Sequence, residues 1–143
     1  TTNAVRIEYG PAIGTVSDPV MLDSSGKVTI NDSGTYRIKV AYQFGRIGNP
    51  GTSILLFRVT DGAGNQLGRS IGHLIGAEEE TKYLENDTWL TVPAGTELLF
   101  EIMRDTAGVN FGGLTSTIPT IDGGNEWNFA PTASIRIERF IQG

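Results

Sequence analysis

The chain contains no cysteine and a single histidine, His73, among its 143 residues. Without cysteine it can form no disulfide, no thiolate metal site and no cysteine nucleophile. A Ser-His-Asp site would have to use His73, with Ser70 close by, but nothing like the G-x-S-x-G turn that exposes a nucleophilic serine is present. Serine hydrolase chemistry is therefore not expected.

Lysine and long hydrophobic runs are also scarce. There are three lysines, and the formal net charge is −5, whereas a protein that binds nucleic acid needs a basic face to neutralise phosphates. No apolar run approaches the roughly 18 residues that a membrane-spanning helix requires. We expect neither nucleic acid nor membrane as a partner.

The acidic residues do not form a recognisable catalytic or metal-binding pattern. Glu97 and Glu101 share a predicted strand face but lie about 13 Å apart at the rise of a strand, beyond the roughly 5–10 Å that separates the two carboxyl groups of a glycosidase. The loop that starts at Asp61 lacks the distal glutamate of a calcium-binding loop. The sequence predicts no enzyme, no metal and no cofactor.

What the chain has in quantity is β-branched residues, glycine and proline. Isoleucine, valine and threonine number 14, 8 and 16, against 19 alanines and leucines together. The 25 glycines and prolines are scattered so that the longest stretch without either is residues 77–92. β-branched side chains fit a pleated surface, and frequent turn residues interrupt helices. An all-β protein of many short strands is predicted.

Alternation of apolar and polar residues locates the strands. It is clearest at residues 35–44, where every second residue from Tyr36 to Phe44 is apolar, which indicates one buried and one polar face. Residues 77–86 stay ambiguous, because Glu78, Glu79 and Glu80 could also open a short helix. Strands are predicted at residues 5–9, 20–22, 27–30, 35–44, 53–60, 66–75, 87–92, 96–104 and 133–141.

The length suits one domain. We interpret residues 1–19 as an N-terminal arm and residues 20–143 as a single domain. About eight or nine strands predict a two-sheet antiparallel β-sandwich of the jelly-roll type. An immunoglobulin-like sandwich is the alternative, but the Cys-Trp-Cys spacing of that fold is missing.

A stretch of 28 residues, 105–132, has no clear strand pattern and contains Phe111, Trp127 and Phe129. Loops of more than about 12–15 residues are uncommon in compact domains and are often functional. Aromatic side chains on a glycine-rich loop can anchor a protein partner or stack on sugar rings. The same rings could instead fold back and close the end of the sandwich.

Three segments resemble the C1q/TNF-like jelly roll. Residues 34–44 (GTYRIKVAYQF) resemble its G-x-Y strand, and residues 92–100 (VPAGTELLF) resemble its late hairpin. Residues 133–141 (ASIRIERFI) are similar to its final central strand. The segments follow one another in the order of that family.

Within this superfamily, residues 100–105 (FEIMRD) followed by residues 110–114 (NFGGL) resemble small virion proteins of tailed bacteriophages. Such proteins include capsid decoration (cement) proteins and the knobs of head or tail fibres. The resemblance implies a homotrimer on the capsid surface of a virion, bound to the major capsid protein and without catalysis. The alternative that it implies is a receptor-binding knob that recognises host surface glycan.

Candidate contact residues follow from these expectations. The arm residues Val5, Ile7 and Tyr9 are candidates for docking on the capsid, and the three loop aromatics are candidates for binding a partner. Strand residues that carry arginine, that place an apolar side chain on the second face of a strand, or that share a strand face with such residues are candidates for the trimer interface. The interface candidates are Leu55, Arg58, Leu99, Arg136, Glu138 and Phe140.

Overall fold

The computed structural model describes residues 4–9, 19–45, 53–75, 81–104, 113–114 and 133–141. These residues form ten strand segments and no helix. All pairings between the strands are antiparallel. The strands are β1 (Val5–Arg6), β2 (Val20–Leu22), β3 (Val28–Ile30), β4 (Gly34–Gly45), β5 (Ser53–Thr60), β6 (Gln66–Ile75), β7 (Thr81–Val92), β8 (Thr96–Arg104), β9 (Gly113–Leu114) and β10 (Ala133–Phe140).

The strands divide into two sheets. Sheet I has the order β2-β3-β8-β5-β6, with β1 also paired to β8, and sheet II has the order β10-β4-β7, with β9 also paired to β4. Along the chain, β3 lies in sheet I, β4 in sheet II, β5 and β6 in sheet I, β7 in sheet II, β8 in sheet I and β10 in sheet II. This repeated crossing between two antiparallel sheets is the jelly-roll path. The predicted fold class is confirmed.

Strand β4 supplies one wall of the core, as its alternation predicts. Tyr36, Ile38, Val40, Tyr42 and Phe44 are all buried between the sheets. They meet inward side chains of sheet I, and the ring of Tyr42 stacks on Phe57 at 4.6 Å between centroids. Burial of large apolar side chains on both inner faces is the main favourable term for such a sandwich.

Strand β6 contains an irregularity at one of its glycines. Its pairing with β5 is regular up to Phe57 and resumes at Val59, which faces Leu67. Gly68 lies within the shifted segment and has φ +71°, a conformation that other residues rarely adopt. This shift in register is typical of a β-bulge, and β6 is the last strand in the order of sheet I.

The ambiguous segment is settled as strand where the structure describes it. Strand β7 begins at Thr81, and it pairs with β4 in unbroken register from Gly34–Val92 to Gly45–Thr81. Twelve paired residues outweigh a weak local preference for a helical turn, because tertiary pairing overrides propensity. Residues 77–80, which include the three glutamates, lie outside the described residues.

The described part of the expected arm packs into the sandwich. β1 pairs with β8, and the amide of Ile7 donates to the carbonyl oxygen of Phe100 at 2.8 Å. The side chains of Ile7 and Tyr9 belong to the buried core, where the Tyr9 ring meets the edge of Phe100 at 5.6 Å. The prediction that Ile7 and Tyr9 dock on a capsid is therefore wrong, because the chain's own core covers them. Val5 is exposed.

Thr60 is a buried polar residue whose hydroxyl has no hydrogen-bond partner among the described residues. An unsatisfied buried hydroxyl costs free energy, and valine has nearly the same shape. We expect Thr60→Val to raise the free energy of unfolding by about 1 kcal/mol in urea denaturation.

The control for this substitution is Thr35→Val. The hydroxyl of Thr35 lies 2.9 Å from the Thr91 hydroxyl and shares a hydrogen bond with it. That substitution should not stabilise the domain. A loss of stability in Thr60→Val as large as that in Thr35→Val would contradict the prediction.

Candidate interaction surface

The outer side of sheet II carries a surface that we call the aromatic face. It consists of the residues of β4, β7 and β10 that alternate with the buried ones. Tyr83, Trp89 and Phe140 on this face are exposed to 67%, 54% and 54%. The remaining members are Thr35, Arg37, Lys39, Ala41, Gln43, Glu85, Asp87, Thr91, Ser134, Arg136 and Glu138.

Two of the exposed rings meet above the central strand. Trp89 lies on β7 and Phe140 on β10, and both strands flank β4. Their ring centroids are 5.8 Å apart at an interplanar angle of 80°, an edge-to-face arrangement. The guanidinium carbon of Arg37 lies 5.9 Å from the Trp89 ring, close enough for a cation–π contact. Together they form one apolar platform with a cationic margin.

The middle of the face is a set of ion pairs, two of which join β4 to β7. Arg37 donates from Nε to both carboxylate oxygens of Asp87 at 3.0 Å, and Lys39 Nζ lies 2.6 Å from Glu85. The hydrogen bond from Arg37 lowers the pKa of the Asp87 carboxyl. The hydrogen bond from Lys39 lowers the pKa of the Glu85 carboxyl. On β10, Arg136 Nη2 lies 2.6 Å from Glu138.

The lowered pKa of Asp87 makes part of the domain's stability depend on pH. The folded state favours the ionised carboxylate, so this stability is present above the usual pKa of aspartate and is lost as the pH falls through the lowered value. Between about pH 6 and pH 3, the wild type should lose more free energy of unfolding than Asp87→Asn.

Urea denaturation at the two pH values measures this difference. The matched variant is Arg37→Gln, which keeps the carboxylate but removes the guanidinium that lowers its pKa. It should show the same reduced acid sensitivity. Identical pH dependence in all three proteins would contradict the assigned role of the pair.

The predicted interface residues separate onto opposite sides of the molecule. Arg136, Glu138 and Phe140 lie on the aromatic face. Arg58 lies on the outer side of sheet I, where its Nε donates to Glu101 at 2.6 Å, and Leu99 lies on the same side opposite Thr60. These two groups cannot form one continuous patch.

Leu55 does not belong to either surface. Its side chain is fully buried in the core cluster, so the prediction that it contacts another copy is wrong. Strand β5 lies inside sheet I between β8 and β6, and only one of its two apolar sides faces the core. The sequence showed two apolar faces but not which of them faces inward.

The three loop aromatics, Phe111, Trp127 and Phe129, lie outside the described residues. The structure instead reveals Trp89 and Tyr83, which sequence reasoning did not select. A signal was available for Trp89, because it shares strand parity with the polar residues Asp87 and Thr91 and so points away from a core. The ambiguity over residues 77–86 hid the corresponding signal for Tyr83.

The residues considered for catalysis have structural partners. The His73 ring lies 5.3 Å from Phe44, and the Ser70 hydroxyl donates to the Gln66 amide oxygen at 3.2 Å. Glu97 pairs with Lys27 Nζ at 2.7 Å, while Glu101 pairs with Arg58. Histidine and acidic side chains form no group that could hold a metal ion in the part of the chain that the structure describes.

Within the described ranges, no helix has the length and apolar character to cross a bilayer.

Comparison with known proteins shows a similarity to solved structures. No protein-family model matches the chain, and no curated protein matches it significantly. Among solved structures it is similar to the Eiger TNF of S. frugiperda, with 17% identity, coverage of 89% of this chain and 93% of that chain, and a TM-score of 0.48. The jelly roll itself is established by the order and pairing of the strands given above.

Proposed function

We propose that this domain is a non-enzymatic structural protein of a bacteriophage virion, which assembles as a homotrimer and decorates the capsid surface. The observation that carries the proposal is the aromatic face, where Trp89 and Phe140 form one exposed platform and Tyr83 is exposed on the same side of sheet II, beyond the ion pairs. Exposed aromatic side chains concentrate at protein interfaces, and contiguous apolar patches on a surface mark interaction sites.

The charges of this face support its burial against another copy. It carries three cations and three carboxylates, whereas the whole chain has a net charge of −5. Each charge has an opposite partner within the face, so a neighbour could cover it without leaving an unpaired charge, which is the costly case. The charged residues are Arg37, Lys39, Arg136, Glu85, Asp87 and Glu138.

Symmetry indicates what the aromatic face would meet. In a closed trimer each contact joins two different surfaces of the protomer. The outer side of sheet I points away from the aromatic face, and contacts between two opposite sides stack copies into an open array. An edge of the sandwich makes an angle with the aromatic face. A contact between that edge and the aromatic face of the next copy can therefore close into a ring of three. Arg58 and Leu99 therefore leave the proposed interface, while Arg136, Glu138 and Phe140 remain in it.

The edge formed by β6 and β7 suits this role. Each of these strands ends the strand order of its sheet, and Lys82 Nζ on β7 donates to the carbonyl oxygen of Leu74 on β6 at 2.8 Å. The two strands thus form one connected edge. We infer that it packs on the aromatic face of the next copy.

The virion assignment draws its support from residues 100–105 and 110–114, which resemble small virion proteins of tailed bacteriophages. The three segments that resemble the C1q/TNF-like jelly roll concern the fold, and they correspond to β4, the turn into β8, and β10. Two of these strands, β4 and β10, carry part of the aromatic face.

Light scattering after size exclusion tests the assembly. The proposal expects a mass three times that of the 15.4 kDa chain at micromolar concentration. A 15.4 kDa species alone would overturn the trimer.

Co-sedimentation tests the role on the virion. Purified protein should pellet with undecorated capsids of the phage that encodes it and should not adsorb to host cells. Adsorption to cells that Trp127→Ala abolishes would instead support the glycan-binding knob.

A further inference from the structure

A strip of aliphatic side chains crosses the outer side of sheet I. We call the four residues Leu74, Ile54, Leu56 and Met103 the aliphatic strip. The strand register places Ile54 opposite Leu74 and Leu56 opposite Met103, so the strip runs from β6 across β5 to β8. Leu74 and Ile54 are exposed to 55% and 37%.

Gly72 keeps the strip continuous. It faces Leu56 across the β5–β6 pairing. A Cβ atom at this position would lie 3.3 Å from Leu56 Cδ2 and 3.5 Å from Ile54 Cγ2. The two side chains therefore lean over the glycine, which leaves a low aliphatic surface between the exposed ends of the strip.

The strip continues into a groove of about 150 Å³. Leu56 and Met103 line both the strip and the groove, and Ala4 and Ile102 complete its apolar wall. A cavity of about this volume lined by apolar side chains accommodates a benzene ring. The groove therefore has room for one large aliphatic or aromatic side chain.

The rest of the groove lining is polar. It consists of the ion pair between Arg58 and Glu101, at 2.6 Å, together with Gln66 and Ser70. These side chains present donors and acceptors beside an apolar wall. Such a combination fits a peptide, whose side chain enters the apolar part while its backbone amides meet the polar rim.

We propose that the aliphatic strip and its groove dock an extended peptide segment of a partner protein, which inserts one large aliphatic or aromatic side chain. The partner that we infer is the major capsid protein, and in this respect the inference rests on the proposed function. The groove itself would exist in a single copy, because one chain supplies all of its lining residues.

Area favours a peptide segment over a second copy of the chain. A stable interface between two proteins buries about 800 Å² on each partner, which is far more than four side chains and one groove provide. A segment with a single anchor fits the available surface. A trimer would present three such grooves to the repeating subunits of a capsid. Three weak contacts that are linked in one trimer bind more tightly than a single contact does.

The probes for the groove are N-acetyl-phenylalanine amide and N-acetyl-leucine amide, titrated into the protein and followed by methyl NMR. We expect saturable shifts at the methyl groups of Leu56 and Met103, with at least one probe binding tenfold more weakly to Met103→Glu. The control is Met21→Glu, since Met21 lies on the other edge strand of sheet I and is 55% exposed, as Leu74 is. It should bind like the wild type.

Ile54→Glu tests the strip on the assembled protein. Ile54 lies on β5, inside sheet I, and not on the β6–β7 edge that is proposed to meet the next copy. The trimer should therefore stay intact while capsid co-sedimentation falls at least tenfold relative to Met21→Glu. Wild-type binding of capsids by Ile54→Glu and Met103→Glu, or probe shifts confined to other residues, would overturn the inference. Probe binding in the groove without any capsid binding would keep the groove and reject the virion role, so the two failures are distinguishable.

Discussion

Replacing Gly26 with alanine is expected to lower the free energy of unfolding by roughly 3 kcal/mol. Gly26 has φ +77°, where an L-residue is strained. A Cβ atom there would also overlap the carbonyl oxygen of Ile7 and lie 2.8 Å from the Cα atom of Glu8. Both obstacles are backbone atoms, so the N-terminal segment would have to move away from the turn that joins β2 to β3.

Gly64 provides the matched control for this substitution. It has φ +87°, and a Cβ atom there meets nothing within 4 Å. Gly64→Ala should therefore show only the conformational cost, about 1–2 kcal/mol. Urea unfolding of the two variants separates the cost of the backbone overlap from that of the conformation.

The loss in Gly26→Ala should also be visible at the N-terminal segment. Displacement of this segment would break the hydrogen bond from the Ile7 amide to Phe100, so hydrogen exchange at Ile7 should accelerate. Gly64→Ala should leave that exchange rate unchanged. Equal losses of stability in both variants, with Ile7 still protected, would show that Gly26 does not secure the segment.

Trp89→Glu is expected to convert the proposed trimer into single chains. Trp89 lies in the middle of the aromatic platform, between Phe140 and Arg37. Tryptophan at the centre of an interface commonly contributes 2 kcal/mol or more to binding. A carboxylate would also have to be buried there without a free cation, because Arg37 already pairs with Asp87. A closed trimer contains this contact three times, so the effects combine.

The measurement is light scattering after size exclusion at micromolar concentration. The wild type should elute at three times 15.4 kDa, and Trp89→Glu at 15.4 kDa with the β-sheet circular dichroism spectrum of the wild type. Met21→Glu controls for the added charge on an exposed apolar site of sheet I and should remain trimeric. A trimeric Trp89→Glu protein would remove the aromatic face from the interface.

The sequence by itself determined the class of the fold and the positions of most strands. In β4 and β8, alternation with a period of two sets which side chains share a face, and the structure has these strands where the pattern predicts them, at Gly34–Gly45 and Thr96–Arg104. This information is local, because each residue's side follows from its neighbours in the chain.

The tertiary structure alone decided which faces are covered. Leu55 and Ile54 are adjacent apolar residues, yet one is fully buried in the core and the other is part of the aliphatic strip. Ile7 is buried because β1 pairs with β8, nearly a hundred residues later in the chain, and Trp89 meets Phe140 only because β4 lies between their strands. A period-two pattern states that two faces differ, whereas strand order between distant segments determines what lies against each one.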